Sequence, residues 1–391
     1  MTKTLITMLV AAVLLFAPGP ASAMQPDDSP RPAPAVQVTT TGGKIVPYTC
    51  MYRPEHADRL ELTTQAAWVD WIEKLSGHEP VTLNGNTHTI TNRHSFALFN
   101  RAELDYAQSH GFEYLLETVR KWYPESQIEI DPYTVHFGFP SQMYTWKNLI
   151  VTIPGGRLPN DVVMLTAHYD STNGPATMKP AAGTIAPGAN DNGSGSASLL
   201  EAARILKDSP LDRTVRLIWF TGEEQGLRGS EAYVQDHNLS NVVGVINLDM
   251  FAYDSDNDRC FELHVSNPSY GTAAVAPSER IGACFVEIID AYEYDLYYDF
   301  HAGNGTTSSD HSNFWLKGVG AIEVLENFNS TYMPGGCTGS DMSLHYHQET
   351  DLVKNINADT AFDIHRAALT TLFSMGTVEN IYYYMPGIYH Q

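Results

Sequence analysis

Apolar residues recur along the chain with two spacings. From about Thr63, the positions Trp68, Trp71, Ile72 and Leu75 fall on one side of a 3.6-residue turn and predict a helix. A second helical pattern spans 102–122, carried by Leu104, Ala107, Phe112, Leu115, Leu116 and Val119, and Pro124 stops it. Beyond that point short apolar runs rich in Val and Ile occupy 149–153, 162–167, 215–220, 242–250, 261–265 and 321–325. Helical stretches stand between several of them, at 195–206, 230–237, 281–292, 311–316 and 359–373. Apolar runs of this length are buried strands, and helices between them imply crossovers. The expected fold class is therefore α/β, a mixed and largely parallel sheet with helices on both faces. Ligands of such sheets bind beyond the carboxyl ends of the strands, and that is where to look for chemistry.

The beginning of the chain follows neither spacing. Residues 1–23 carry Lys3, an apolar run at 5–16 and the small residues Ala21-Ser22-Ala23, the pattern of a secretory signal peptide. Pro18 and Pro20 cut the run short of the roughly 20 apolar residues a membrane span needs. Cleavage after Ala23 and a secreted or periplasmic protein are expected. Residues 24–58, rich in Pro, Asp and Thr at their start, read as a linker or pro-segment. Cys50, Cys260, Cys284 and Cys337 suggest disulfides in an exported protein, but their pairing has three solutions.

Composition narrows the partners. With 23 Lys+Arg against 45 Asp+Glu the net charge is −22, which argues against nucleic acid or an anionic membrane surface. Hydrophobic residues at 43% exclude disorder as the main state. The acids are either surface or cation ligands, and only position separates the two.

Position does so at the strand ends. The run 162–167 leads into His168, Tyr169 and Asp170. A loop with Asp191-Asn192-Gly193 opens the helical stretch at 195. The run 215–220 leads into Glu223 and Glu224, the run 242–250 contains Asp249, and His347 comes late, followed by Asp351. Each has a bland reading: Asp191-Asn192-Gly193 is also a turn and helix cap, and adjacent glutamates are commonly a solvated pair. Together, at one edge of one sheet, imidazole and carboxylate make a ligand set suited to zinc, manganese or cobalt.

These blocks resemble the M28 zinc peptidases. The resemblance rests on Ala167–Ser171, on Gly188–Gly195, and on Phe220–Ser230 with its Thr-Gly-Glu-Glu. Asn247-Leu248-Asp249-Met250, Ser309-Asp310-His311 and Tyr346-His347-Gln348 follow in order. The ligand positions are 23, 33, 25 and 98 residues apart. The resemblance implies one catalytic domain over 59–391, a fold of the zinc-peptidase, phosphorylase–hydrolase-like kind, and a di-zinc aminopeptidase acting as a monomer on peptides with a free N-terminus. It implies that Asp191 bridges two Zn2+, that His168 and Asp249 complete one ion, and that Glu224 and His347 complete the other, with Co2+ or Mn2+ as substitutes. Glu223 would be the general base for a metal-bridging water, and Asp170 would accept a hydrogen bond from the far nitrogen of His168. His345 competes with His347, which fits the family pattern better. The tyrosine some members carry before Ser309-Asp310-His311 is missing here, and Tyr332 is a substitute.

The remaining aromatics and histidines are read more plainly. Residues 292–300 look like core or pocket wall, and His136, His264 and His301 like structural residues. Met178, Phe251 and Phe314 are candidate walls of a specificity pocket. The same metal centre would also serve a carboxypeptidase or dipeptidase, and less well a glutaminyl cyclase. An inactive binding module has no need of Glu223.

Overall fold

The computed structural model describes residues 48–95, 110–137, 141–174, 183–328, 337 and 339–378. The expected signal segment and residues 24–47 lie outside them, as do Met178 and Tyr332. In chain order the helices are α1 (Pro54–Leu60), α2 (Gln65–Leu75), α3 (His110–Arg120), α4 (Gly195–Leu206), α5 (Arg228–Asp236), α6 (Thr272–Ala291), α7 (His311–Leu316) and α8 (Ala358–Gly376). The strands are β1 (Val81–Leu83), β2 (Asn86–His88), β3 (Ile128–Phe137), β4 (Gln142–Ile153), β5 (Leu158–His168), β6 (Arg213–Phe220), β7 (Val242–Leu248), β8 (Cys260–Ser266), β9 (Tyr297–Ala302) and β10 (Ala321–Glu326).

β1 and β2 pair with each other, and the others form one sheet in the order β3-β4-β6-β5-β7-β10-β8-β9. At its centre β6, β5, β7 and β10 run parallel. β3 and β4 add an antiparallel hairpin at one edge, while β8 joins β10 antiparallel and carries β9 beside it. The central strands are apolar on both faces, which is why their sequences read as continuous runs. β5 sends Val163, Leu165 and Ala167 into a large core shared with α2, α4, α6 and α8, and Val162 and Met164 into a smaller one under α5 and α7. This is the mixed, largely parallel α/β architecture with helices on both faces that the periodicity implies.

Two features differ from the sequence reading, and a third lies partly outside the described residues. β3 and β9 are edge strands that no apolar run announced. The aromatic stretch 292–300 belongs largely to the core, one of the two readings given for it: Tyr294 and Leu296 are buried in it and Tyr292, Tyr298 and Phe300 pack against it, while the chain turns out of α6 into β9 and leaves Tyr297 exposed. The second helix is described only over α3, since 101–109 lie outside the described residues. The end of the expected linker is folded: α1 crosses residue 58, Tyr48 is buried, and Cys50 is bonded to Cys284 in α6. Cys260 and Cys337 form the second disulfide.

Candidate metal centre

β5 lies between β6 and β7 in the sheet, so the chain leaves β5 toward one side and returns on the other, opening a crevice at the carboxyl ends. His168 is the last residue of β5, Glu223 and Glu224 follow β6, and Asp249 follows β7. On the face under α5 and α7, apolar side chains give way to polar ones toward this edge. Met164 is succeeded by Thr166 and His168, Val245 by Asn247 and Asp249, and Ala321 by Glu323. A relay of hydrogen bonds then fixes Asp249. Thr166 Oγ1 donates to Asn247 Oδ1 (2.8 Å), Asn247 Nδ2 to Ser309 Oγ (2.9 Å), and Ser309 Oγ to Asp249 Oδ2 (2.7 Å).

The loop 188–195 delivers Asp191. Gly188 has φ +53°, a conformation costly for other residues, and a Cβ there would come within 2.2 Å of the Asp191 carbonyl oxygen. Asn192 Oδ1 accepts the Gly195 N–H (2.9 Å) at the start of α4, and its Nδ2 donates to the Leu248 carbonyl (2.8 Å). Two adjacent residues thus point different ways: Asn192 bonds the start of α4, and Asp191 turns into the crevice. Asp351 holds the same loop from outside, accepting the N–H of Asn190 (2.9 Å) and of Asp191 (3.0 Å).

Five side chains converge. His168 Nε2 lies 3.2 Å from Asp191 Oδ1 and 3.1 Å from Asp249 Oδ1. His347 Nε2 lies 3.3 Å from Asp191 Oδ2 and 2.8 Å from Glu224 Oε2. The two oxygens of Asp191 thus face two different imidazoles. His168 Nδ1 is 3.1 Å from the Asp170 carbonyl, which can only accept, so Nδ1 carries a proton and Nε2 is the nitrogen that faces the crevice. Glu224 Oε1 is buried with no hydrogen-bond partner among the described residues. Three buried carboxylates against two imidazoles leave a deficit of positive charge. Burial, with Asp191 adding, pushes the Glu224 carboxyl above its usual range, and Asp191 and Glu224 outweigh the desolvation of His347 and lift it to about 10. Imidazole nitrogens and carboxylate oxygens in this arrangement fit a zinc-type cation. Glu223 is half-buried and lines the cavity beside the cluster. Desolvation, and then the neighbouring Asp249 and Glu224, hold its carboxyl well above the usual range.

Asp170 acts differently from the expectation. Its carboxylate is 3.6 Å from His168 Nδ1, and it is the backbone carbonyl that takes the hydrogen bond. The carboxylate instead accepts from Ser95 Oγ (3.0 Å) and faces the N–H groups of Glu223 and Glu224 (3.4 Å each). It therefore positions the turn that carries both glutamates. Buried Arg93 does the same for the loops on the other side, donating to the carbonyls of Leu75, Tyr169, Pro187 and Gly188 at 2.6–2.8 Å. Ser95, Arg93 and Asp351 had no assigned role in the sequence reading. They act on backbone groups, which a sequence does not label, and only the Asp351 spacing after His347 hinted at one of them.

The other candidates sort by burial. His345 is bonded through Nδ1 to Thr350 Oγ1 (2.9 Å), away from the cluster. Phe251 and Phe314 belong to the two cores, and Met250, Leu325 and Phe328 line the cavity instead. Glu262, His264 and His301 form a second buried group. The Thr306 N–H donates to His264 Nδ1 (3.0 Å), so Nε2 is protonated and donates to Glu262 Oε2 (2.7 Å). Both nitrogens of His264 are thus engaged within the protein, and the group is a hydrogen-bonded pair with His301 stacked on it.

Three comparisons bear on the site. Residues 148–372, more than half of the chain, match the model of peptidase family M28. The chain is 32% identical over 227 residues to leucine aminopeptidase 2 of Trichophyton rubrum, covering 56% of this chain and 42% of that protein. It is 30% identical over 233 residues to an aminopeptidase of Pseudomonas aeruginosa, covering 55% and 39%. The chain thus spans well under two thirds of the length of these relatives. In fold it is similar to the LapA aminopeptidase of Legionella pneumophila, with a TM-score of 0.60 at 20% identity over 86% of this chain and 79% of that one.

Proposed function

Because the chain belongs to peptidase family M28, we propose that it is a di-zinc aminopeptidase, secreted or periplasmic, that removes residues from the free N-terminus of peptides. The observation that carries this reading is Asp191, whose two oxygens each face a separate imidazole. His168, Asp191 and Asp249 would hold one ion, and Asp191, Glu224 and His347 the other, with Co2+ or Mn2+ acceptable to the same donors. Zinc, when bound, acidifies water and polarises a scissile carbonyl. Glu223 stands outside both donor sets in the same cavity, so it takes a proton from the attacking water and returns it to the leaving amine. Asp170 and Ser95 hold that glutamate in place through its backbone. The names of the fungal and Pseudomonas relatives support cleavage at the N-terminus. Export is supported by the apolar run at 5–16 and by two disulfides, which persist in oxidising compartments.

The test uses protein recovered from the medium or periplasm, where it begins at Met24. Elemental analysis finds two zinc ions per chain, and a chelator abolishes hydrolysis of amino-acid anilides. Glu223→Gln keeps the metal and lowers kcat by roughly 10²–10⁴-fold, the usual contribution of a general base. Undiminished turnover after chelation, or in Glu223→Gln, overturns the mechanism. Cleavage of N-acetylated but not C-amidated peptides transfers the centre to a carboxypeptidase.

A further inference from the structure

The cavity beside Glu223 has a volume of about 260 Å³; most of its lining is polar, and Met250, Leu325 and Phe328 form its apolar part. Glu323 lines it as well, although it is only 2% exposed. Its place follows from register: Glu323 of β10 pairs with Asn247 of β7, two residues before Asp249. At about 3.3 Å per residue, it therefore lies roughly 6–7 Å deeper along the sheet than the level of Asp249.

The surroundings of Glu323 do not satisfy it. Oε2 has no hydrogen-bond partner among the described residues. The near polar atom is His311 Nδ1 at 3.5 Å. His311 Nε2 lies 3.0 Å from the Thr306 carbonyl oxygen, so the ring proton is on Nε2 and Nδ1 presents a lone pair. With Glu323 ionised, two acceptors thus face each other. The charged groups acting on Glu323 are mainly acidic (Asp249, Glu262 and Asp310), and no Lys or Arg pairs with it among the described residues. An ionised carboxylate buried without a counter-charge is costly in any fold; burial and then Asp249 hold the Glu323 carboxyl well above the usual range, and it lines a cavity that also has Met250, Leu325 and Phe328 in its wall.

From this arrangement we infer that the cavity receives a cationic N-terminal side chain, lysine or arginine, whose stem packs along Met250, Leu325 and Phe328 and whose charged end meets Glu323. This rests on the aminopeptidase reading, which puts the scissile bond at Glu223. The stem of lysine or arginine spans the depth between Asp249 and Glu323 and leaves a strongly hydrated or forked cation where an acceptor is unpaired.

Two measurements on the zinc-loaded protein test it. In the first, kcat/KM is compared for lysine, arginine and leucine anilides. The wild type favours the two cationic substrates, and Glu323→Gln lowers the lysine-to-leucine ratio roughly 10- to 100-fold, as expected for a hydrogen bond to a charged group. In the second, calorimetry compares L-lysinamide with L-norleucinamide, which lacks only the ammonium. Lysinamide binds the wild type more tightly by a similar factor, and the advantage disappears in Glu323→Gln. Equal binding of the two amides to the wild type overturns the inference, as does a substrate ratio that Glu323→Gln leaves unchanged. If no anilide is cleaved, the aminopeptidase reading fails, and the binding comparison still decides the role of Glu323.

Discussion

His365 shows what a single buried ring does to this protein. It packs against both Trp68 and Phe362, with Nδ1 3.0 Å from Ser198 Oγ and Nε2 3.4 Å from Thr63 Oγ1. Burial lowers its pKa from 6.5 to about 4. Between those values the unfolded chain binds a proton that the folded one refuses, so stability is lost as pH falls from 6.5 toward 4, by as much as about 3 kcal/mol. In His365→Gln that loss is absent. The stability advantage of wild type over variant, measured by urea unfolding at a series of pH values, shrinks as pH falls; a constant gap would show that His365 titrates alike in both states. Single residues were also where the sequence was least uniform as a guide. His168, Asp191, Glu223, Glu224, Asp249 and His347 were legible because charge directly after a buried strand, or in an ordered series of motifs, seldom serves packing alone. Asp170 was legible as a member of the site but not in its action, since a sequence does not tell a carboxylate from the carbonyl of the same residue. Glu323 sits inside an apolar run, which marks it only as part of a strand.

At the scale of elements, α4 approaches β5 and β7 so closely that its first residue has to be glycine. A Cβ on Gly195 would lie 2.5 Å from Asn192 Oδ1, 2.7 Å from the Leu248 carbonyl and 2.9 Å from Ala167 Cβ. Gly195→Ala is expected to cost about 1–3 kcal/mol by overpacking, and to lower bound zinc, because the displaced helix end carries the Asp191 loop with it. Thermal unfolding and metal analysis check both, and a variant as stable as its parent would refute the close approach. The same packing explains which elements were visible beforehand. β5, β6, β7 and β10 are covered on both faces, so their apolar runs are broken only by single polar residues such as Thr166, Arg216, Asn247 and Glu323. β3 lies at the sheet edge, interleaves Glu129, Asp131 and His136 with its apolar residues, and contains Pro132, so no continuous run marks it. β9, at the opposite edge, alternates exposure along a mostly aromatic stretch, and aromatic composition alone does not separate strand from wall.

Across the whole molecule, the two disulfides join parts that are far apart in the chain, with a sequence separation of 234 for Cys50 and Cys284 and of 77 for Cys260 and Cys337. The first ties the segment before α1 to α6, where Arg280 also stacks on Tyr48 with 5.2 Å to the ring centroid. Removing it by Cys50→Ser with Cys284→Ser is expected to destabilise the protein by about 2–5 kcal/mol, read from the urea midpoint; an unchanged midpoint would mean the strap adds nothing to folding. The net charge of −22 acquires a different meaning at this scale. A handful of acids converge on the site, and the rest of the excess is spread over the remainder of the chain.

Arg93 has a consequence for how such a protein can be divided. Its guanidinium joins the end of α2 to the backbone on either side of the crevice, at Tyr169 and Gly188. Yet it lies 55 residues ahead of residue 148, where the family match begins. The segment by which relatives are recognised is therefore not a self-sufficient module: the piece that clamps its loops is written elsewhere in the gene. Transplanting the recognised segment alone into another scaffold would carry the ligands without the brace that aligns them, so a border drawn by ancestry and a border drawn by mechanical integrity fall at different places in this chain.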